Sequence, residues 1–347
     1  MRRMMRAGAP YYAAVAALHA LALTLLFLAA RQAPILPGLG LLAYTLGLRH
    51  AFDADHIAAV DNTVRKLLQL KRDPNGVGFF FSLGHSTIVF LMALLLGLTG
   101  AWARDRMPGF QAVGGVIGAT ISGLFLLLTA AFNAAALAGM ARAFRRLRER
   151  HRGAAGAPGA GAAGVSGADI DALLDRRGLL PRLCGRLFAV VTRSWQVYPI
   201  GLLFGLGFDT ATEVALLAMS AGATTSSVPL AGTLALPLLF ASGMCLMDTT
   251  DSVVMTGAYR WAFDTPVRKL YYNLTITLAS VTAAVVIGGV ELLQVVGSAL
   301  GLDGGFWAWV QGLDFNGLGY AMAAVFVGFW IASGVVWKVG HVARRWS

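Results

Sequence analysis

The chain has 347 residues, of which 57% are hydrophobic and only 13% charged, with a formal net charge of +11. Soluble domains have about 45–50% apolar and about 25% charged residues, so this composition excludes an ordinary soluble protein and favours one that spans a membrane. The positive charges fall mainly between long apolar runs, which indicates membrane orientation rather than binding to nucleic acid.

Apolar segments long enough to cross a bilayer recur along the whole chain. A transmembrane helix needs about 20 apolar residues to cross about 30 Å of hydrocarbon. The sequence therefore predicts an all-α, polytopic membrane protein with eight transmembrane helices. The first could alternatively be a secretory signal, although its length favours a retained helix. The predicted spans are residues 12–30, 38–60, 78–98, 113–140, 197–221, 230–258, 271–296 and 312–339.

A basic segment rich in Gly and Ala divides these spans into two groups of four. Residues 141–195 are predicted to form a cytoplasmic linker, because residues 153–167 are nearly all Gly and Ala and have too few side chains to fold. We therefore expect an N-terminal membrane bundle over residues 1–140 and a C-terminal bundle over residues 196–347.

Basic residues are distributed unequally between the two sides of the predicted bundle. Of the 28 Lys and Arg residues, all except Arg31, Arg49, Arg104 and Arg106 lie in the termini and connections of one side. The positive-inside rule then places both termini in the cytoplasm. The expected surroundings are a lipid bilayer, without nucleic acid. No G-x-x-x-x-G-K-[ST] motif is present, so no ATPase subunit is evident in this chain.

The densest polar motif lies inside the second predicted span. Residues 50–56 read His-Ala-Phe-Asp-Ala-Asp-His and follow Arg49 directly. A carboxylate at the bilayer centre costs about 2.5–3.5 kcal/mol, so such residues rarely lie there without a function. Imidazole nitrogen and carboxylate oxygen together suit a divalent first-row transition metal. The candidate metal ligands in this span are His50, Asp53, Asp55 and His56.

A straight helix would keep the two histidines of this motif apart. His50 and His56 would be about 9 Å apart along the axis, too far to share one ion that lies about 2 Å from each nitrogen. Either the helix unwinds near Gly47, or the ion passes from one histidine to the other. Broken helices near the bilayer midplane are common in transporters. We therefore expect the second span to be broken at or near the motif.

Three further spans carry ionisable residues that could complete a metal site. The third has a histidine followed by two hydroxyl residues. The fifth and sixth each have two acids, spaced i, i+4 and i, i+3, which places each pair on one helix face. The candidate ligands in these spans are His85, Asp209, Glu213, Asp248 and Asp251, with Arg49, Ser86 and Thr87 as supporting residues.

Structural roles are open alternatives for several of these residues. A lone histidine on an apolar helix is often a hydrogen-bonded structural residue, which applies to His85. Asp61, Glu213 and Asp251 could equally cap helices or form salt bridges, and Arg49 could pair with a carboxylate of its own span. Taken together, however, the acids inside the spans far outnumber the cations there, so these polar residues favour a bound cation between the helices. The imidazoles favour a transition metal over sodium or calcium.

These motifs resemble the signature of the nickel/cobalt transporter family of secondary permeases. Residues 49–57, Arg-His-Ala-Phe-Asp-Ala-Asp-His-Ile, contain an H-x-x-x-x-D-H core. The resemblance extends to residues 83–87, Leu-Gly-His-Ser-Thr, and to residues 206–213 and 243–251 in the fifth and sixth spans.

The resemblance implies that His50, Asp55 and His56 bind metal and take part in transport. It also implies high-affinity uptake of nickel or cobalt across a bacterial plasma (inner) membrane. The ion would be the transported substrate, with no permanent cofactor and no enzymatic activity.

Two other functions are alternatives to uptake. The first is an efflux permease of the same type, because the positive-inside rule fixes orientation and not the direction of transport. The second is a membrane-embedded metalloenzyme with permanent His and Asp ligands. Against the enzyme, the chain contains no H-E-x-x-H motif and its acids are spread along the spans rather than set in one compact site.

Overall fold

All the regular secondary structure in the described residues is helical. The computed structural model describes residues 2–99, 101–154, 191–206, 230–262 and 266–313, with several residues between 317 and 328. Its α-helices are α1 (Arg2–Ala30), α2 (Leu36–His50), α3 (Ala54–Gln69), α4 (Val77–Thr99), α5 (Ala101–Ala154), α6 (Tyr198–Gly205), α7 (Leu230–Ala262), α8 (Pro266–Leu300) and α9 (Phe306–Gln311). A 3₁₀ turn, Ser194–Val197, leads into α6.

Five helical stretches of the described residues are long and apolar enough to cross a membrane. They match the first, third, fourth, sixth and seventh predicted spans, which confirms a multi-pass helical protein. The fifth and eighth predicted spans extend largely beyond the described residues, so the count of eight stays a prediction. The five stretches are Ala7–Ala30, Val77–Leu94, Val113–Gly139, Ala231–Arg260 and Thr277–Leu300.

The predicted division into two separate four-helix bundles is not confirmed. Helix α7, from the second group, packs against α1, α2 and α4 of the first group, and α8 packs along α5. Helix α5 also continues to Ala154, so the first part of the predicted linker is helical. The Gly/Ala-rich remainder of that linker lies outside the described residues.

The second predicted span is broken, as expected. Helix α2 ends at His50, and α3 begins at Ala54 after Asp53, whose backbone is extended with ψ of 143°. The N–H groups of Phe52 and Asp53 donate to the carbonyls three residues before them, which tightens the last turn of α2. The Phe52 ring stacks on Tyr320. The break therefore begins at Ala51, four residues beyond Gly47, and Gly47 is the residue near which the sequence suggests unwinding.

Two glycines let helices approach each other closely around this break. A Cβ atom at Gly47 of α2 would overlap the backbone carbonyl of Phe240 in α7, and one at Gly84 of α4 would overlap the carbonyl of Tyr198 in α6. Small residues at such crossings are the usual means of packing helices within a membrane, where apolar side chains gain little from leaving lipid. These contacts fix α2 against α7 and α4 against α6.

We expect the substitution Gly47→Ala to lower the thermal unfolding midpoint of the purified protein in detergent. The added methyl group would overlap the Phe240 carbonyl, and overpacking of this kind costs about 1–3 kcal/mol. The matched control is Gly38→Ala in the same helix, where a Cβ would meet no atom within 4 Å. Equal midpoints for the two variants would contradict the close α2–α7 contact.

Candidate metal site

Three histidines from three helices meet beside the break in the second span. His50 ends α2, His56 lies in the first turn of α3, and His85 lies in the middle of α4. Their ring centroids are 4.7 to 4.9 Å apart. Each ring offers one nitrogen, and these nitrogens all lie within 4.8 Å of one another. Metal–imidazole bonds are about 2.0–2.1 Å long, so a small inward movement of the rings would let all three bind one ion. We call this group the histidine cluster.

Carboxylates lie behind two of these imidazoles. His50 Nδ1 is 2.7 Å from Asp53 Oδ2, and His56 Nδ1 is 3.2 Å from Asp248 Oδ2. The Ser82 hydroxyl donates to the same Asp248 oxygen at 2.5 Å. In metal sites a carboxylate behind a histidine fixes its tautomer, directs the other ring nitrogen at the ion and raises its basicity. The same arrangement here directs the Nε2 atoms of His50 and His56 into the cluster.

The cluster is almost closed to solvent. His56 and His85 are buried, and the His50 side chain is 17% exposed. The ring of the buried Phe81 lies edge-on to His56 at 4.8 Å, and the ring of Phe240 lies 5.8 Å from His50. Removal of water strengthens any electrostatic interaction made inside the cluster.

Several buried polar atoms in and around the cluster have no hydrogen-bond partner. They are His56 Nε2, His85 Nδ1, Ser86 Oγ and Asp53 Oδ1. Buried polar atoms are normally satisfied, so each such atom requires an explanation. A bound cation would satisfy His56 Nε2 and could also recruit Asp53 Oδ1. His50 Nε2 and His85 Nε2 already lie 3.2 Å apart, facing each other.

The predicted acids take different positions around the cluster. Asp53 and Asp248 each lie against an imidazole, and direct coordination of a metal by either carboxylate stays a prediction. Asp55 lies in the first turn of α3, where one of its oxygens accepts a hydrogen bond from the backbone N–H of His56 at 2.9 Å. Asp251 lies one turn beyond Asp248 in α7, and its buried Oδ2 has no hydrogen-bond partner. Asp209 and Glu213 lie outside the described residues.

The predicted supporting residues have different surroundings. Thr87 donates to the Leu83 carbonyl and lies 3.0 Å from the Tyr198 hydroxyl, so it links α4 to α6. Ser86 is buried beside His85. Arg49 lies in the last turn of α2.

Sequence reasoning missed Ser82, which donates to Asp248. A signal for it was present, because Ser82 precedes His85 by three residues and therefore shares its helix face. The aromatic neighbours Phe81 and Phe240 could not be recognised in the same way, because both occur in apolar runs that carry no distinguishing pattern.

Comparisons with known proteins show which proteins this chain is similar to. A family model described as "High-affinity nickel-transport protein" matches residues 36–336. The chain is 52% identical to the nickel transporter NixA of Staphylococcus aureus over 338 residues, which cover 97% of this chain and 96% of that protein. It is 47% identical to the nickel transporter NicT of Mycobacterium tuberculosis, over 89% of this chain and 81% of the relative. The cobalt transport protein NhlF of Rhodococcus rhodochrous is 39% identical over 85% of this chain and 81% of its own length. No solved structure matches the chain.

We expect Asp248→Asn to weaken the affinity of the purified protein for Ni²⁺ by about 10- to 100-fold, the usual effect of removing a carboxylate that supports a metal-binding histidine. Isothermal titration calorimetry measures this directly. The control is Asp73→Asn, which changes a carboxylate whose side chain is 60% exposed and pairs with Arg260. Unchanged affinity in Asp248→Asn would show that Asp248 does not support a metal ligand.

Proposed function

Because the chain belongs to the high-affinity nickel-transport family, we propose that it takes up divalent nickel across a membrane by way of His50, His56 and His85. The observation that carries this proposal is the convergence of the three imidazoles beside a broken helix, with two carboxylates behind them. Nothing else in the described residues brings three such ligands together.

The chemistry of the cluster suits a borderline transition metal that must be bound and then released. Imidazole nitrogens bind nickel and cobalt better than they bind sodium, magnesium or calcium, which prefer oxygen ligands. The carboxylates of Asp53 and Asp248 carry charge opposite to that of a divalent ion. Because the carboxylates act through hydrogen bonds to the imidazoles, their charge stabilises the ion without direct contact. Two further metal–oxygen bonds then do not have to break when the ion is released.

The membrane potential can supply the energy for uptake. Two positive charges moving through 100 mV gain about 4.6 kcal/mol, which corresponds to an accumulation of roughly 10³-fold. No P-loop motif is present in the chain, in keeping with a secondary transporter. We place the protein in the plasma (inner) membrane with both termini in the cytoplasm, on the basis of its basic connections.

Cobalt is a second candidate substrate. One relative, 39% identical, is named as a cobalt transport protein, whereas the two more similar relatives described above are named as nickel transporters. Both ions accept the same nitrogen and oxygen ligands, so the ligand set of the cluster does not choose between them. Uptake of labelled nickel in the presence of excess cobalt measures the preference.

We expect His56→Ala to abolish uptake of radiolabelled nickel by intact cells, because it removes a cluster ligand and leaves the buried Asp248 without its imidazole partner. The control is His19→Ala in α1, where the imidazole bonds the Val15 carbonyl and the Tyr44 hydroxyl, outside the cluster. This control should retain uptake.

Near-normal uptake by His56→Ala would refute the proposed role of the cluster. Nickel that stays bound through exhaustive chelation, without any uptake, would instead favour a membrane-embedded metalloenzyme. Cells that become more sensitive to nickel when the protein is lost would favour efflux.

A further inference from the structure

A buried arginine links three helices at some distance from the histidine cluster. Arg65 lies nine residues beyond His56 in α3, or roughly 13.5 Å along the helix, and is only 1% exposed. Its guanidinium donates to the hydroxyls of Thr277 at 2.9 Å and Ser280 at 2.7 Å in α8, and to the Tyr259 hydroxyl at 2.7 Å in α7. The guanidinium also lies over the Tyr259 ring, 4.5 Å from its centroid.

The carboxylate associated with this arginine is Asp61, one helical turn earlier in α3. Arg65 Nη2 is 3.9 Å from Asp61 Oδ2, and the Tyr259 hydroxyl donates to the other oxygen, Oδ1. Asp61 is fully buried, yet its Oδ2 has no hydrogen-bond partner. Since a buried carboxylate requires a nearby cation or several donors, Asp61 depends on Arg65.

A line of acids connects this arrangement to the histidine cluster. Helices α3 and α7 run in the same direction, because His56 pairs with Asp248 at one level and Arg65 pairs with Tyr259 further along both helices. Asp251, one turn beyond Asp248, lies within electrostatic range of both Asp248 and Asp61.

The end of the two helices that holds Arg65 is rich in basic residues. Lys66 follows Arg65 directly, and Arg260 follows Tyr259 and pairs with Asp73 in the loop after α3. By the positive-inside rule this end faces the cytoplasm. Arg65 therefore lies between the histidine cluster and the cytoplasmic surface.

We propose that Arg65 closes the cytoplasmic side of the nickel path as the resident counter-ion of Asp61, and that the departing divalent ion replaces it there. This inference rests on the proposed role of the histidine cluster in uptake. The divalent ion and the guanidinium compete for the Asp61 carboxylate, because two positive charges repel strongly in a buried environment and cannot both stay beside it. Exchange of one cation for the other keeps the Asp61 carboxylate paired at each stage, and the closure re-forms when the ion leaves.

Thr256 provides a reporter position for this closure. It is fully buried in α7, one turn before Tyr259 on the side of the cluster, and its hydroxyl has no hydrogen-bond partner. The parent protein for the test carries Thr256→Cys, with Cys184 and Cys245 replaced by alanine. A charged, membrane-impermeant thiol reagent added to inside-out vesicles measures access to this position from the cytoplasmic side.

We expect Ser280→Ala to raise the labelling rate about tenfold, the change typical of losing one hydrogen bond to a charged group. Arg65→Lys should raise it as well, because an ammonium group lacks the planar fork that reaches both α7 and α8. The control Arg260→Lys alters a half-exposed arginine near the same end and should leave the rate unchanged. Nickel should accelerate labelling of the parent by displacing Arg65.

Unchanged labelling in both Ser280→Ala and Arg65→Lys, or no response of the parent to nickel, would overturn the proposed closure. Equilibrium dialysis of Ni²⁺ separates this failure from failure of the cluster. Ser280→Ala should bind nickel as the parent does, whereas His56→Ala should lose binding and keep the slow labelling rate measured without nickel. Normal nickel binding by His56→Ala would refute the cluster, and a labelling rate raised by Ser280→Ala would still support the closure.

Discussion

The chain leaves its helical path for three residues, Ala51 to Asp53, and the histidine cluster depends on that interruption. On a continuous helix His50 and His56 would be about 9 Å apart along the axis, whereas here their ring centroids are 4.7 Å apart. Asp53 contributes twice, because its extended backbone begins α3 and its carboxylate binds His50. The residue that breaks the helix therefore also orients one of the imidazoles that the break brings together.

Close helix packing then supplies the remaining parts of the site. Glycines at the crossings bring α7 against α2 and α6 against α4, and these helices carry Asp248 and His85 to the break. In lipid an unpaired polar group is costly, so the polar residues of these helices turn inward and satisfy one another where they can. His56 pairs with Asp248 in the histidine cluster, and Arg65 pairs with Asp61 further along α3.

The all-helical class and the apolar spans could be predicted from sequence because they follow from hydropathy. The candidate histidines could be predicted as well, because the 3.6-residue period of a helix fixes their relative positions. The break was predictable for the same reason, since no straight helix can place His50 and His56 on one ion. The position of Asp248 beside His56 Nδ1 was not predictable, because a carboxylate that pairs with a histidine and one that binds metal have the same spacing in sequence. The packing of α7 among helices of the first group was also hidden, since apolar faces in a membrane carry little information about their neighbours.

The central claim is that one nickel ion binds to three imidazoles at the break in the second span. Nickel K-edge X-ray absorption on the purified protein tests it most directly, because imidazole rings give multiple-scattering features that carboxylates and water do not. Binding of one ion by all three imidazoles predicts three imidazole ligands per nickel in the wild-type protein and two in His56→Ala loaded at high nickel concentration. A spectrum with only oxygen ligands, or one that does not change in His56→Ala, would contradict it.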